Sequence, residues 1–178
     1  MNLVLIGYRG TGKTTVAQQL ALRLGWDWVD TDVEVELRAG RSIATIFAES
    51  GEAAFRDLEA LVLAEQVKRA HIVIAAGGGA VLREENRRVL AATAHVVWLT
   101  ARVDTITSRV AADTTTASRR PNLRAGGETE IRELLAERAP LYRACAAIDV
   151  ATDERSAAEI VDEICARLSL AACGQEGT

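Results

Sequence analysis

The stretch Gly7-Tyr8-Arg9-Gly10-Thr11-Gly12-Lys13-Thr14 follows the unbroken apolar run Leu3-Val4-Leu5-Ile6 and opens a segment with helical apolar spacing. It fits G-x-x-x-x-G-K-[ST], and the strand-loop-helix setting makes the pattern a phosphate-binding loop rather than a coincidence. Glycine is required because the backbone must curl until successive N–H groups point inward at phosphate oxygens. On this reading Gly10, Thr11 and Gly12 build the cradle and Lys13 reaches the β- and γ-phosphates. Thr14 offers its hydroxyl to a bridging Mg²⁺, and the helix beginning with Thr14-Thr15 adds the positive end of its dipole. A Gly-rich turn that merely joins strand to helix is the competing reading. Lys13 and Lys68 are the only lysines, so a lysine inside such a loop stands out from the background.

The rest of the chain supplies strands and helices in alternation. Val16, Leu20, Leu22 and Leu24 give a first helix, stopped by Gly25, and Trp26-Asp27-Trp28-Val29 a second strand ending at Asp30-Thr31-Asp32. A right-handed crossover puts those carboxylates on the edge that carries the phosphate loop, although helix N-caps after a strand would have the same geometry. Helices follow at Val33–Arg38, from Ser42, and from Gly51-Glu52 to about Lys68, with Arg56 near the start of the last. Helices inserted at this point build a substrate pocket over the nucleotide edge, or are a structural elaboration.

Ile72-Val73-Ile74-Ala75-Ala76 reads as a third buried strand that stops at Gly77-Gly78-Gly79. Three glycines there mean a close backbone approach, special backbone angles or a flexible turn. A helix from Glu84 to Leu90, a strand His95–Leu99 and a helix Val103–Arg109 come next. Residues 112–127 then lose apolar periodicity and gather small polar residues, paired glycines and three arginines, the composition of a basic lid or of a solvated loop. A helix over Glu128–Ala144 with a kink expected at Pro140, a strand Ala147–Val150 and a closing helix Ala157–Leu170 complete the pattern. The expected fold is α/β, a three-layer P-loop NTPase-type domain over residues 1–170 with a five-stranded parallel sheet flanked by helices, and a disordered tail at 171–178. Substrate-binding helices fall at about 32–60 and the lid at about 112–127.

These stretches together resemble the shikimate kinases, of the nucleoside monophosphate kinase-like group. The resemblance runs from Leu3 to about Leu168 and rests on the phosphate loop, Asp30-Thr31-Asp32, Gly40-Arg41-Ser42-Ile43 and Gly51-Glu52 with Phe55-Arg56. It continues through Gly77-Gly78-Gly79, Arg120-Pro121 and Arg138-Ala139-Pro140-Leu141-Tyr142. It implies an ATP- and Mg²⁺-dependent kinase that phosphorylates the 3-hydroxyl of shikimate on the route to chorismate and the aromatic amino acids. By the same resemblance Asp32 binds the ring hydroxyls, as base or as orienting group, and Asp30 joins Thr14 at Mg²⁺. Arg56 and Arg138 bind the shikimate carboxylate, with Gly77, Gly78 and Gly79 beside them and the Gly78 N–H as a further donor. Arg120 is the lid arginine that meets the ATP phosphates, next to Arg119, while Arg109 and Arg155 flank the adenine. Glu59, on a helix face, reads as a surface charge.

The alternatives are a kinase of the same fold acting on another polyol acid such as gluconate, and a nucleotide-binding module that has lost transfer. A net charge of −4 and a pI near 5.3 argue against a nucleic-acid or anionic-membrane partner. The absence of N-K-x-D disfavours GTP. Cys145, Cys165 and Cys173 lack C-x-x-C spacing, so free thiols are expected, and no signal peptide or membrane-length apolar run is visible. A cytoplasmic monomer is the expectation.

Overall fold

A computed structural model describes residues 1–93, 95–113 and 127–170; most of the expected lid, with Arg119 and Arg120, and the tail from 171 with Cys173 lie outside the described residues. Strands β1 (Asn2–Ile6), β2 (Asp27–Asp30), β3 (Ile72–Ala75), β4 (His95–Thr100) and β5 (Ile148–Ala151) form one parallel sheet in the order β2-β3-β1-β4-β5. β1 is therefore central, and connections leave it toward both edges, which opens a crevice at the carboxyl ends of the strands.

Alternation along β1 decides what each layer packs against. Leu3 and Leu5 face α1 (Lys13–Leu24) and α7 (Ala157–Arg167), in a core with Val16, Leu20, Val97, Leu99 and Ile164. Val4 and Ile6 face the other way, onto Leu63 of α3 (Ile43–Gln66), Leu90 of α4 (Glu84–Ala91) and Tyr142 of α6 (Gly127–Cys145). The period of two thus divides one short strand between two helical layers. Apart from these, Val35 of α2 (Thr31–Ala39) packs with Ile43, Ile46, Phe55 and Val62 of α3 in a small core of its own. Tyr8, Ile106 of α5 (Val103–Ala112), Ile131 and Leu134 make another beside the phosphate loop.

Element boundaries follow the punctuation in the sequence. Asp30 caps α2 by accepting from the Asp32 N–H at 3.0 Å, and Ser42 caps α3 by accepting from Thr45 at 3.1 Å. Gly51, at φ 80°, ψ 171°, breaks α3 into the two helices that the sequence pattern predicts. α6 includes Pro140, as the sequence pattern expects, and Arg138 and Tyr142 of this helix are buried. One expectation shifts. α7 stops at Arg167, short of Leu170, because the chain turns there and Ser169 takes φ 52°.

Cys145 and Cys165 are free and buried, and burial pushes both thiols above their usual range, so neither is a poised nucleophile. Among the described residues no helix is long and apolar enough to cross a membrane. The two-layer packing of β1 makes a direct prediction. Leu5→Ala, at a fully buried position, should lower unfolding free energy by about 2–5 kcal/mol in a urea titration. Leu22→Ala, 85% exposed on α1, should stay within about 0.5 kcal/mol of wild type.

Candidate active site

The phosphate loop turns over the carboxyl end of β1 and is held by its own contacts. Thr11 is buried and its hydroxyl donates to the Tyr8 carbonyl at 2.8 Å, so its side chain braces the loop from inside. Lys13 reaches back across the cradle, its ammonium donating to the carbonyls of Gly7 at 2.9 Å and Tyr8 at 2.8 Å. Gly7 cannot carry a side chain, since a Cβ there would lie 2.4 Å from the Leu99 carbonyl oxygen of β4. A cleft of about 410 Å³ opens above the loop, lined by Gly10, Gly12, Lys13, Thr14 and Thr15 on one side and by Asp30, Asp32 and Arg109 on the other.

Asp30 caps a helix and also reaches the cleft. One carboxylate oxygen caps α2, and the other accepts from the Thr14 hydroxyl at 2.7 Å in the cleft. Arg109 spans from α5 to two separate strand ends: Nη1 donates to Gly10 O at 3.3 Å and to Thr152 Oγ1 at 3.0 Å, and Nη2 to Thr152 O at 2.8 Å. Arg155 turns away from the cleft, donating to Ala151 O at 3.0 Å and to Glu163 of α7 at 2.6 Å, while Ser156 forms a capping box with Glu159.

A second, smaller pocket of about 40 Å³ adjoins the cleft, and Arg9, Ile43 and Gly78 line both. Tyr8, Phe47 and Phe55 wall it, the buried Glu130 of α6 also lines it, and two buried guanidinium groups reach it from different helices. Arg56 of α3 is 8% exposed and Arg138 of α6 is 6% exposed. Charges so far from water need partners. Arg56 donates through Nε and Nη2 to Glu52 at 3.1 and 3.0 Å and through Nη1 to Glu59 at 2.7 Å, with its plane 5.0 Å from the Phe55 ring centroid. Arg138 donates through Nη1 to the Gly78 carbonyl at 3.2 Å and lies 5.8 Å from the Tyr8 ring; its Nε is buried with no hydrogen-bond partner among the described residues.

Glu59 therefore corrects the sequence reading. It is 1% exposed, not a surface charge, because its place three residues after Arg56 brings the two together on the inner face of α3. The glycine triplet also resolves into separate functions. None of the three has positive φ, so special backbone angles are not the reason for them. The Gly77 N–H is taken by the Thr31 hydroxyl at 2.9 Å. Gly78 lies against the phosphate loop with ordinary contact distances, whereas a Cβ on Gly79 would fall 2.1 Å from Arg56 Nη1. Close approach is the explanation at Gly79. Beyond the turn, Asn86 and Arg87 of α4 hold the carbonyls of Ala80, Val81 and Leu82 and fix the segment.

The structure thus brings Gly10, Gly12, Lys13, Thr14, Thr15, Asp30, Asp32 and Arg109 to one cleft and Arg56, Gly78, Gly79 and Arg138 to the pocket beside it. Arg155 is directed elsewhere, and Arg120 lies outside the described residues. Sequence reasoning passed over Arg9, which lines both spaces, and Tyr142, whose hydroxyl donates to Gly78 O at 2.5 Å. An arginine inside a variable phosphate-loop position has no distinguishing signal, and Tyr142 has none beyond its place in Arg138-Ala139-Pro140-Leu141-Tyr142.

The family model for shikimate kinase matches residues 9–169. The chain is 44% identical to a shikimate kinase of Rhodopirellula baltica over 92% of its own length and 88% of the relative's. It is 45% identical to one of Symbiobacterium thermophilum over 94% and 96%. Among solved structures, a shikimate kinase from Acinetobacter baumannii in complex with shikimate superposes with TM-score 0.87 at 37% identity, covering 94% of this chain and 93% of that one. A gluconokinase from Sinorhizobium meliloti shares the fold alone, at 16% identity and TM-score 0.58, covering 94% and 91%. On these matches, and with a phosphate-loop cleft opening into a pocket that holds two buried arginines, this chain belongs to the shikimate kinase family.

Proposed function

We propose that the protein transfers the γ-phosphoryl group of ATP to the 3-hydroxyl of shikimate, a step toward chorismate and the aromatic amino acids. One observation carries the reading: two buried guanidinium groups from separate helices meet in a small pocket that opens directly into the phosphate-loop cleft. Planar forks suit a carboxylate, and the Arg138 Nε N–H is a buried donor that such an anion would satisfy.

On this reading Arg56 and Arg138 hold the acceptor's carboxylate, and the turn at Gly78 and Gly79 lets the substrate come close to backbone. Asp32, in the cleft, orients the attacking hydroxyl and takes partial base character, which suffices for a loose phosphoryl-transfer transition state. Lys13 leaves the Gly7 and Tyr8 carbonyls for the β- and γ-phosphates, and Arg120 approaches the same charge from the lid. Arg109, beside Gly10, flanks the nucleotide.

Mg²⁺ fits the donors present. Thr14 and Asp30 offer a hydroxyl and a carboxylate oxygen beside the cradle, and a hard cation that keeps several waters and phosphate ligands needs few protein atoms. When bound it neutralises charge developing on the phosphoryl oxygens. The protein is taken to work as a monomer in the cytoplasm, with no nucleic-acid or membrane partner. Gluconate as acceptor draws no specific support, since the gluconokinase likeness is one of fold.

The test is a coupled ADP-release assay with ATP and Mg²⁺, comparing shikimate, gluconate and no acceptor. Turnover should depend on shikimate, and Arg56→Ala should lower kcat/KM for it about a hundredfold or more while ATP binding persists. Turnover on gluconate alone would overturn the acceptor assignment. In the same assay Gly79→Ala should raise KM for shikimate about tenfold or more and leave KM for ATP within about twofold, because the new methyl displaces Arg56 and not the phosphate loop.

A further inference from the structure

The Gly78 carbonyl lies at the junction of cleft and pocket and accepts two hydrogen bonds, both from α6. Tyr142 OH donates at 2.5 Å, and Arg138 Nη1, one helical turn earlier on the same face, at 3.2 Å. A carbonyl oxygen has two lone pairs, so its capacity is filled. The two donors differ in what else they can do. Tyr142 is 1% exposed, and its ring stacks on Trp98 of β4 with centroids 5.7 Å apart, so the phenol is fixed by packing in the main core. Arg138 lines the pocket, makes the longer of the two bonds and has an unused Nε donor. If Arg138 turns its fork onto an incoming anion, the carbonyl it leaves behind is buried.

We propose that Tyr142 is a positioning residue of the acceptor pocket: by holding the Gly78 carbonyl it lets Arg138 exchange that carbonyl for the acceptor's carboxylate. The proposal rests on the reading of Arg138 given above. It locates the effect of the hydroxyl in one state. In the free protein Arg138 alone can satisfy Gly78, so loss of the hydroxyl costs little there. In the substrate-bound protein Tyr142 is the donor that remains, and without it a buried acceptor is stranded. A purely structural tyrosine would act on both states alike.

Tyr142→Phe keeps the ring and its stacking on Trp98 and removes the hydrogen bond to Gly78. It is to be made in wild type and in Arg138→Ala, with shikimate and ATP kinetics and thermal unfolding measured for all four proteins. In wild type the expected result is a rise in KM for shikimate of about tenfold, with kcat and KM for ATP within about twofold and Tm shifted by no more than about 2 °C. In the Arg138→Ala background the pattern should invert. There Tyr142→Phe should leave kcat/KM for shikimate nearly unchanged, because no exchange takes place, and should lower Tm by about 4 °C, because Gly78 then has neither donor. An unchanged shikimate KM in Tyr142→Phe overturns the proposal. So does a KM rise of equal size in both backgrounds, or a Tm loss in wild type accompanied by a rise in KM for ATP. Absence of shikimate-dependent turnover in the wild-type protein would instead overturn the reading of the site on which the proposal stands.

Discussion

A guanidinium group taken out of water must be surrounded by groups that replace its hydration, and two such groups set the form of this site. Arg56 is met by Glu52, Glu59 and the face of Phe55; Arg138 by the Gly78 carbonyl and the face of Tyr8. Removing one member of a buried charged pair costs about 3–5 kcal/mol, which makes Arg56 and Glu59 a unit rather than two independent residues. The small core of α2 and α3 then has a purpose beyond packing. It carries this pair to the sheet edge and holds it against a turn with no side chains.

The phosphate loop follows a related logic with the opposite accessibility. Its cation stays in the cleft and folds onto two carbonyls of its own loop, so the cradle is held together before any phosphate arrives. Thr11 braces it from the buried side, and Arg109 ties Gly10 to Thr152 beyond the end of β5. The loop is consequently connected to the far side of the sheet by a side chain that also lines the cleft. The parallel sheet contributes by bringing these pieces to one edge, as strand order around a central β1 requires.

Most of the architecture was legible because its signals are local. Unbroken apolar runs gave β1, β3 and β4, and Gly25, Gly40, Ser42 and Gly51 marked helix ends where the structure has them. The site was legible to the extent that it uses such signals: the phosphate loop, the carboxylates after β2 and the glycine triplet after β3. What stayed hidden depends on which side of a helix faces inward. Glu59 reads as surface on a polar helix face until α3 is seen to turn that face toward Gly79. Tyr142 reads as a core aromatic, which it is, and its hydroxyl gains meaning only when Gly78 arrives from another part of the chain. Arg155, read from the sequence as flanking the adenine, is paired with Glu163 of α7.

Gly79 and Arg56 also constrain how such a pocket can evolve. A side chain at 79 displaces the guanidinium at 56, so a change at the glycine also moves the arginine. Loss of the arginine leaves the Glu59 carboxylate buried without its ion pair, so the arginine cannot readily change alone. Arg56 thus links changes at Glu59, three residues along the same helix, to changes at Gly79 in another part of the chain. Substitutions along this wall of the pocket are coupled through the arginine, and Ile43 and Phe47 line the pocket outside that coupling.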